Sequence, residues 1–272
     1  MALVVTRRRG SSSAAAAQHP GRAATPPRRK TSRQAKRAGS PKSSSDGGSN
    51  PSIPISAVCF DLDGVLILTM PLHAQAWQEA LQRYGLRASR REIYRWEGEP
   101  GRVTAQRLLR RAGRPATSEA ITALLGGKER RFAQLARRIA IVPAFQRLLQ
   151  RLAARGTALA LVTGTSWREV QRVVPRAVRA RFRVLITGDR VRHGKPHPEP
   201  YRRAMRELRV PPARTAVLEN APYGIRSAQH AGAGLVIALA SSLPPRYLRE
   251  ADGIVRSPTE AARLLDQLTQ PD

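Results

Sequence analysis

Ile55-Ser56-Ala57-Val58-Cys59-Phe60-Asp61-Leu62-Asp63-Gly64 is the stretch on which the fold turns. Its apolar run has the length of one strand. The run ends in two carboxylates, two positions apart, and then a glycine that permits a sharp turn. Two readings are open at this point. Asp63-Gly64 can supply ordinary turn chemistry where a strand leaves a sheet. Alternatively, both carboxylates face one small site, because unpaired acids beside a buried strand are costly unless a cation or metal neutralises them. Other segments decide between the two.

Outward from that stretch, short apolar runs alternate with longer amphipathic ones. Residues 55–60, 158–163, 184–187, 216–219 and 235–240 read as strands, and their continuous apolar character suits strands covered on both faces. Residues 144–155, 166–178, 198–209 and 223–231 carry apolar positions three and four apart, as helices do. Gly156 and Gly232 are plausible helix stops. The alternation predicts an α/β fold with a parallel sheet. Residues 71–142 differ, because helical patterns follow one another there with no convincing strand. Leu72, Ala76, Trp77, Ala80, Leu81 and Tyr84 mark one stripe, and Leu108, Leu109, Phe132 and Leu135 mark others. The expected organisation is a core of residues 51–70 and 143–272 interrupted by a helical insert, with Trp77 and Phe132 in the insert's own core. Open parallel sheets bind ligands beyond the carboxyl ends of their strands, so the insert is placed to act as a lid that excludes water.

Composition bounds what precedes the core. Residues 1–50 are dominated by Ser, Ala, Pro, Gly and Arg and lack an apolar period, which predicts a disordered basic N-terminal arm. The arm carries eleven basic residues against the single acid Asp46, within a chain of net charge +29. It is Arg-rich, Ser-rich and acid-poor like a transit peptide, but has no clear amphipathic helix. A dispensable tail or a misassigned start codon ranks ahead of targeting. Of the 48 basic residues, 43 are Arg, spread along many helices rather than clustered with aromatics. That pattern predicts a solvated basic surface with salt-sensitive attraction to polyanions, and no specific nucleic-acid partner. No run approaches the roughly 18 apolar residues that a membrane span needs. The single cysteine, Cys59, excludes an internal disulfide and is expected to pack inside the first strand. A soluble protein of the reducing cytoplasm is expected, and its oligomeric state is not legible.

Three more strand ends place polar groups at the edge that Asp61 and Asp63 occupy. They are Thr163-Gly164-Thr165-Ser166, Gly194-Lys195-Pro196-His197-Pro198 after the third strand, and Glu219-Asn220. Each alone is usually structural; the ordered set is specific. With Asp61-Leu62-Asp63-Gly64-Val65, Thr163, Lys195 in Gly-Lys-Pro-His-Pro-Glu-Pro-Tyr, and Glu219-Asn220-Ala221-Pro222-Tyr223-Gly224-Ile225, the chain resembles the haloacid dehalogenase-like hydrolase superfamily. The likeness spans about residues 57–232 and points to its capped phosphatase and β-phosphoglucomutase-like subgroup.

The resemblance implies a Rossmann-like core, an inserted helical cap over residues 71–142, and Mg²⁺-dependent phosphoryl transfer on a small phosphorylated metabolite. It implies that Asp61 is the nucleophile that becomes an aspartyl-phosphate and that Asp63 is the general acid/base. Thr163, with Gly164 and Thr165, would hold phosphoryl oxygens, and Lys195 would offset charge. Mg²⁺ would be held by Asp61, Asp63 through its carbonyl, Glu219 and Asn220. Relatives commonly carry a second acid where this chain has Asn220, which implies weaker metal binding or a larger share for Glu219. Another departure is Leu68-Thr69, where many relatives place an acid. An acid at position 63 accompanies phosphatases and phosphomutases rather than dehalogenases. Hydrolysis of a sugar phosphate or phosphoglycolate-like monoester is the first reading. The second is a β-phosphoglucomutase-like phosphotransferase, with His73 and Trp77 at the start of the cap and Lys128 as its cap lysine. For these residues the plainer expectations are a hinge or packing role for His73 and a solvated surface for Lys128. A third reading is a basic binding protein that keeps the fold without catalysis. Arg102, Arg130 and Trp96 are the side chains expected to reach the leaving group.

Overall fold

The computed structural model describes residues 54–137 and 139–270; the arm expected over residues 1–50 lies outside them. Strand β1, Ala57–Phe60, is wholly buried. Its alternation sends Val58 and Phe60 to one face of the sheet and the smaller Ala57 and Cys59 to the other. Four helices follow: α1 Met70–Gln82, α2 Arg90–Arg95, α3 Gly101–Arg111 and α4 Ser118–Leu135. The chain then resumes strand–helix alternation with α5 Pro143–Ala154, β2 Ala158–Val162, α6 Trp167–Val173, α7 Arg176–Arg179 and β3 Val184–Ile186. It continues through α8 Glu199–Leu208, β4 Thr215–Glu219, α9 Pro222–His230 and β5 Leu235–Leu239. Strand β6 Gly253–Val255 and helix α10 Pro258–Leu268 complete it.

The six strands form one parallel sheet in the order β3-β2-β1-β4-β5-β6. From central β1 the chain passes to β2 on one side and later to β4 on the other, so a crevice opens at their carboxyl ends. Phe60 pairs with both Leu161 and Leu218, which sets Asp61, Val162 and Glu219 level one residue further on. The Asp61 N–H donates to the Leu218 carbonyl at 3.0 Å, extending the ladder to the first acid.

Both faces of the sheet are covered, as the unbroken apolar runs require. On one face Phe60, Leu161, Leu218 and Ile237 pack under Phe145 and Leu149 of α5 and Leu265 of α10. Phe60 meets Phe145 and Phe182 edge-on, each at 6.3 Å between ring centres. Truncating such a buried ring costs about 3–5 kcal/mol. On the other face the small residues Ala57, Cys59 and Ala160 leave room for Tyr201, Ala204 and Met205 of α8. Cys59 is fully buried there, and burial pushes its thiol up to about 12.

Three expectations change. The helix expected over residues 166–178 is two, because Pro175 holds Val174 in extended backbone and ends α6. Phe132 joins the sheet's cluster rather than the insert's, which is built from Trp77, Leu81, Ile93, Leu108, Leu109 and Leu124. Strand β6 and α10 extend the core beyond the last predicted strand; three residues are too few to show a period.

Candidate active site

Asp61 emerges from β1 into the crevice with 2% of its surface exposed. Its Oδ1 accepts a bond from Lys195 Nζ at 2.7 Å. The same ammonium donates to Glu219 Oε1 at 2.6 Å and to the Val162 carbonyl at 3.0 Å, so its three protons are all used. Tyr201 donates its hydroxyl to Glu219 Oε1 at 2.7 Å, and the Asn220 N–H donates to Glu219 Oε2 at 3.0 Å. Glu219 is thus fully engaged as the counter-ion of Lys195. Asp61 Oδ2 and both polar atoms of the Asn220 amide are buried with no partner among the described residues. Burial pushes the Asp61 carboxyl up to about 8, with Lys195 pulling it down and Glu219 and Asp63 adding to the rise. Burial opposes charge on Lys195 too, but Asp61 and Glu219 outweigh it and raise the ammonium above its ordinary value.

Asp63 stands in a different environment. Oδ1 accepts from Thr69 Oγ1 at 2.5 Å and lies 2.9 Å from His73 Nε2, and Oδ2 accepts from Thr165 Oγ1 at 2.6 Å. Burial alone would raise its pKa; the His73 charge and these bonds hold it well below the usual carboxylate range. Both oxygens are occupied, so Asp63 is held here as an acceptor. The turn after it needs Gly64, whose φ is +85° and whose amide nitrogen donates to the Ile67 carbonyl at 2.6 Å. A Cβ at residue 64 would stand 2.0 Å from Asn220 Nδ2 and displace that side chain. The glycine therefore serves both the turn and the seating of Asn220.

At the end of β2, Thr163 is buried and its hydroxyl accepts the Thr165 N–H at 3.0 Å. Gly164 faces the insert: a Cβ there would meet the Gly98 carbonyl oxygen at 2.8 Å. Thr165, expected to touch substrate, gives its hydroxyl to Asp63. His73 projects from α1 into the same site and stacks on Phe132 at 3.9 Å between ring centres. Asp61, Asp63, His73, Thr163, Gly164, Thr165, Lys195, Glu219 and Asn220 therefore gather at one edge of the sheet.

Above them lies a cavity of about 1060 Å³ lined on the core side by Thr165 and Lys195 and on the insert side by Trp96, Glu97, Arg102 and Lys128. Lys128 corrects the expectation of a solvated lysine. It is 7% exposed, lies 3.8 Å from Glu169 and sits 4.9 Å from the Phe132 ring centre. Arg130, also expected at the leaving group, instead lies against Gly126 of its own helix. Glu97 escaped the sequence reading. Burial pushes its carboxyl well above the ordinary range, and Asp63 and Asp61 push it further, against the pull of Lys128. Its neighbour Gly98 packs so close to Lys195 that a Cβ there would meet Lys195 Cδ at 2.7 Å. An acid-glycine pair between two helices of a basic segment was the available signal. Tyr201 escaped too, since a tyrosine at helix spacing reads as core.

This geometry has relatives. The family model described as haloacid dehalogenase-like hydrolase matches residues 55–232. The chain is 33% identical over 195 residues to Protein CbbY of Cereibacter sphaeroides, covering 68% of this chain and 84% of that protein. It is 29% identical over 191 residues to the phosphorylated carbohydrates phosphatase of Thermotoga maritima, covering 70% and 87%. The solved structure of CbbY from Rhodobacter sphaeroides in complex with phosphate superposes with a TM-score of 0.64 at 32% identity, covering 76% of this chain and 96% of that one.

Proposed function

The chain belongs to the haloacid dehalogenase-like hydrolase family, and from that premise we propose that it is a Mg²⁺-dependent phosphatase acting through an aspartyl-phosphate. Its substrate is a small phosphate monoester, a sugar phosphate or a phosphoglycolate-like acid. The observation that carries this reading is the state of Asp61. Lys195 fixes one carboxylate oxygen, and the other is buried without a partner among the described residues. That second oxygen attacks phosphorus, the bond to the leaving alcohol breaks, and an acyl phosphate forms on Asp61. Water then attacks phosphorus, releasing phosphate and restoring the carboxylate. Lys195 balances negative charge at both steps.

Asp63 gives a proton to the leaving oxygen and takes one from the attacking water, a role worth ~10²–10⁴ in rate. To do so it must exchange its bonds to Thr69, Thr165 and His73 for bonds to substrate. It must also first take up a proton, which the loss of those bonds favours by letting its lowered pKa rise. His73 rides on α1, so movement of the insert is coupled to the freeing of Asp63. Thr163 and the Gly164 N–H hold phosphoryl oxygens once Gly98 withdraws from Gly164. We read residues 71–142 as the cap that makes this movement over a core of residues 51–70 and 143–272.

The donor set fits Mg²⁺, since Asn220 offers a buried oxygen without a partner and the Asp61 oxygen that accepts from Lys195 keeps a further lone pair. Asp61, the Asp63 carbonyl and Asn220 would hold the ion, while Glu219 serves Lys195 instead. When bound, Mg²⁺ screens the carboxylate from the phosphate dianion and draws Asp61 down from its raised pKa. The sugar phosphate class is supported by the carbohydrate phosphatase among the relatives and by the size of the cavity. Among the described residues no helix is long and apolar enough to cross a membrane, and the cytoplasm is the compartment proposed. His73 and the buried Lys128 favour one second reading, a β-phosphoglucomutase-like phosphotransferase in which a sugar hydroxyl replaces water.

The test is a panel of phosphate monoesters, glucose 1-phosphate included, assayed with Mg²⁺ and with EDTA. Phosphate release that EDTA abolishes is expected. Conversion of glucose 1-phosphate to glucose 6-phosphate without free phosphate selects the mutase, and turnover indifferent to EDTA overturns both.

A further inference from the structure

The loop that brings Lys195 to Asp61 also carries two histidines that the chemistry above leaves unused. His193 and His197 flank Gly194-Lys195-Pro196, and their rings stand 4.6 Å apart at 36°. Glu199, the first residue of α8, touches both. Its Oε2 lies 3.1 Å from His193 Nδ1, and its own N–H donates to His197 Nδ1 at 3.2 Å. The N–H groups of Arg192 and His193 donate to the same carboxylate at 2.8 and 2.9 Å, which fixes its direction. One ligand atom from each of the three residues lies within 4.8 Å of the other two. Both histidines are exposed and line the rim of the cavity.

We propose that His193, His197 and Glu199 form a second cation site, for a borderline transition metal of the Zn²⁺ type, at the rim of the cavity. Two imidazoles and one carboxylate are a donor set that Zn²⁺ takes readily and that Mg²⁺, which prefers oxygen, does not. Ligand atoms around a tetrahedral Zn²⁺ with bonds of about 2.0–2.1 Å stand roughly 3.4 Å apart. The His193–Glu199 pair, at 3.1 Å, is already near that spacing. Rotation of an exposed ring to another staggered position brings in the third ligand. The two backbone N–H groups on Glu199 supply the outer support that orients a metal-binding carboxylate. A bound ion ties residues 193, 197 and 199 together across the segment that carries Lys195, bracing the loop and adding positive charge at the rim. This site does not rest on the phosphatase reading.

The experiment uses the full chain in excess Mg²⁺, with Zn²⁺ alone as the probe, titrated in competition with a chromophoric chelator and followed in parallel by thermal melting. The wild type is expected to bind Zn²⁺ and to melt higher with it. The H193A/H197A pair should bind at least tenfold more weakly and lose the melting shift, whereas Asp61→Asn should keep both. Circular dichroism checks the fold of the double variant, and H193Q/H197Q replaces it if helix signal is lost. Equal Zn²⁺ affinity in the wild type and the double variant, or loss in Asp61→Asn alone, overturns the proposal.

Discussion

The floor and the roof of the cavity are built differently. On the floor, Asp61 and Glu219 stand level at the ends of neighbouring strands, and Lys195 joins them with bonds of 2.7 and 2.6 Å. On the roof, contacts come from helices and a connecting turn and vary in length, with Arg107 donating to Glu99 at 2.6 Å. Lys128 stands 3.8 Å from Glu169, and the Arg107 guanidinium lies 5.2 Å above the Trp96 ring. Sheet register fixes the floor, so chemistry that tolerates little misplacement belongs there. The roof can change its side chains without moving Asp61, which suits it to choosing the leaving group. Floor substitutions should therefore strike rate and stability, and roof substitutions should strike substrate choice.

The largest effect is expected from Asp61→Asn, which removes the proposed nucleophile. Phosphate release should fall by about 10³-fold or more, measured at saturating substrate and Mg²⁺. Lys195→Gln comes next. It leaves Asp61 and Glu219 buried without their cation, and urea unfolding without Mg²⁺ should report a loss of about 3–5 kcal/mol. A smaller loss would show that the floor relaxes as readily as the roof. Asn220→Asp adds a charge to the proposed metal set and should tighten Mg²⁺ by roughly tenfold, read from the Mg²⁺ dependence of turnover. An unchanged dependence would remove Asn220 from the metal set. The smallest effect belongs to Glu97→Gln on the roof. Its KM should shift by about 3- to 10-fold in a substrate-dependent way, with unfolding unchanged within about 0.5 kcal/mol. Equal loss of kcat on every ester would move Glu97 to the floor's side of the comparison.

The same contrast governs what could be read before the structure. Strands β1, β2, β4 and β5 were legible because both faces of the sheet are covered, which leaves unbroken apolar runs in the chain. Most floor positions were legible because they lie within a residue or two of such a run, as Asp61 follows Phe60 and Asn220 follows Glu219, whereas Lys195, well past β3, was legible from its Gly-Lys-Pro-His-Pro motif. The roof was not, because its residues take their character from distant partners. Glu97 owes its raised pKa to burial and to Asp63 and Asp61, more than thirty positions away. Lys128 lies in a charged run that reads as surface until Phe132 and Glu169 close around it. The break at Pro175 had a local cause and was open to the eye; the role of Tyr201 on Glu219 was not, since nothing local distinguishes it from a core tyrosine.

The central claim is that Asp61 carries the phosphoryl group. Acid-quenching the enzyme during turnover and weighing its peptides tests this directly. The peptide that contains Asp61 should gain the mass of one phosphoryl group, and the gain should vanish in Asp61→Asn. Sustained phosphate release with no phosphoryl group on that peptide at any quench time, together with undiminished release in Asp61→Asn, would contradict it.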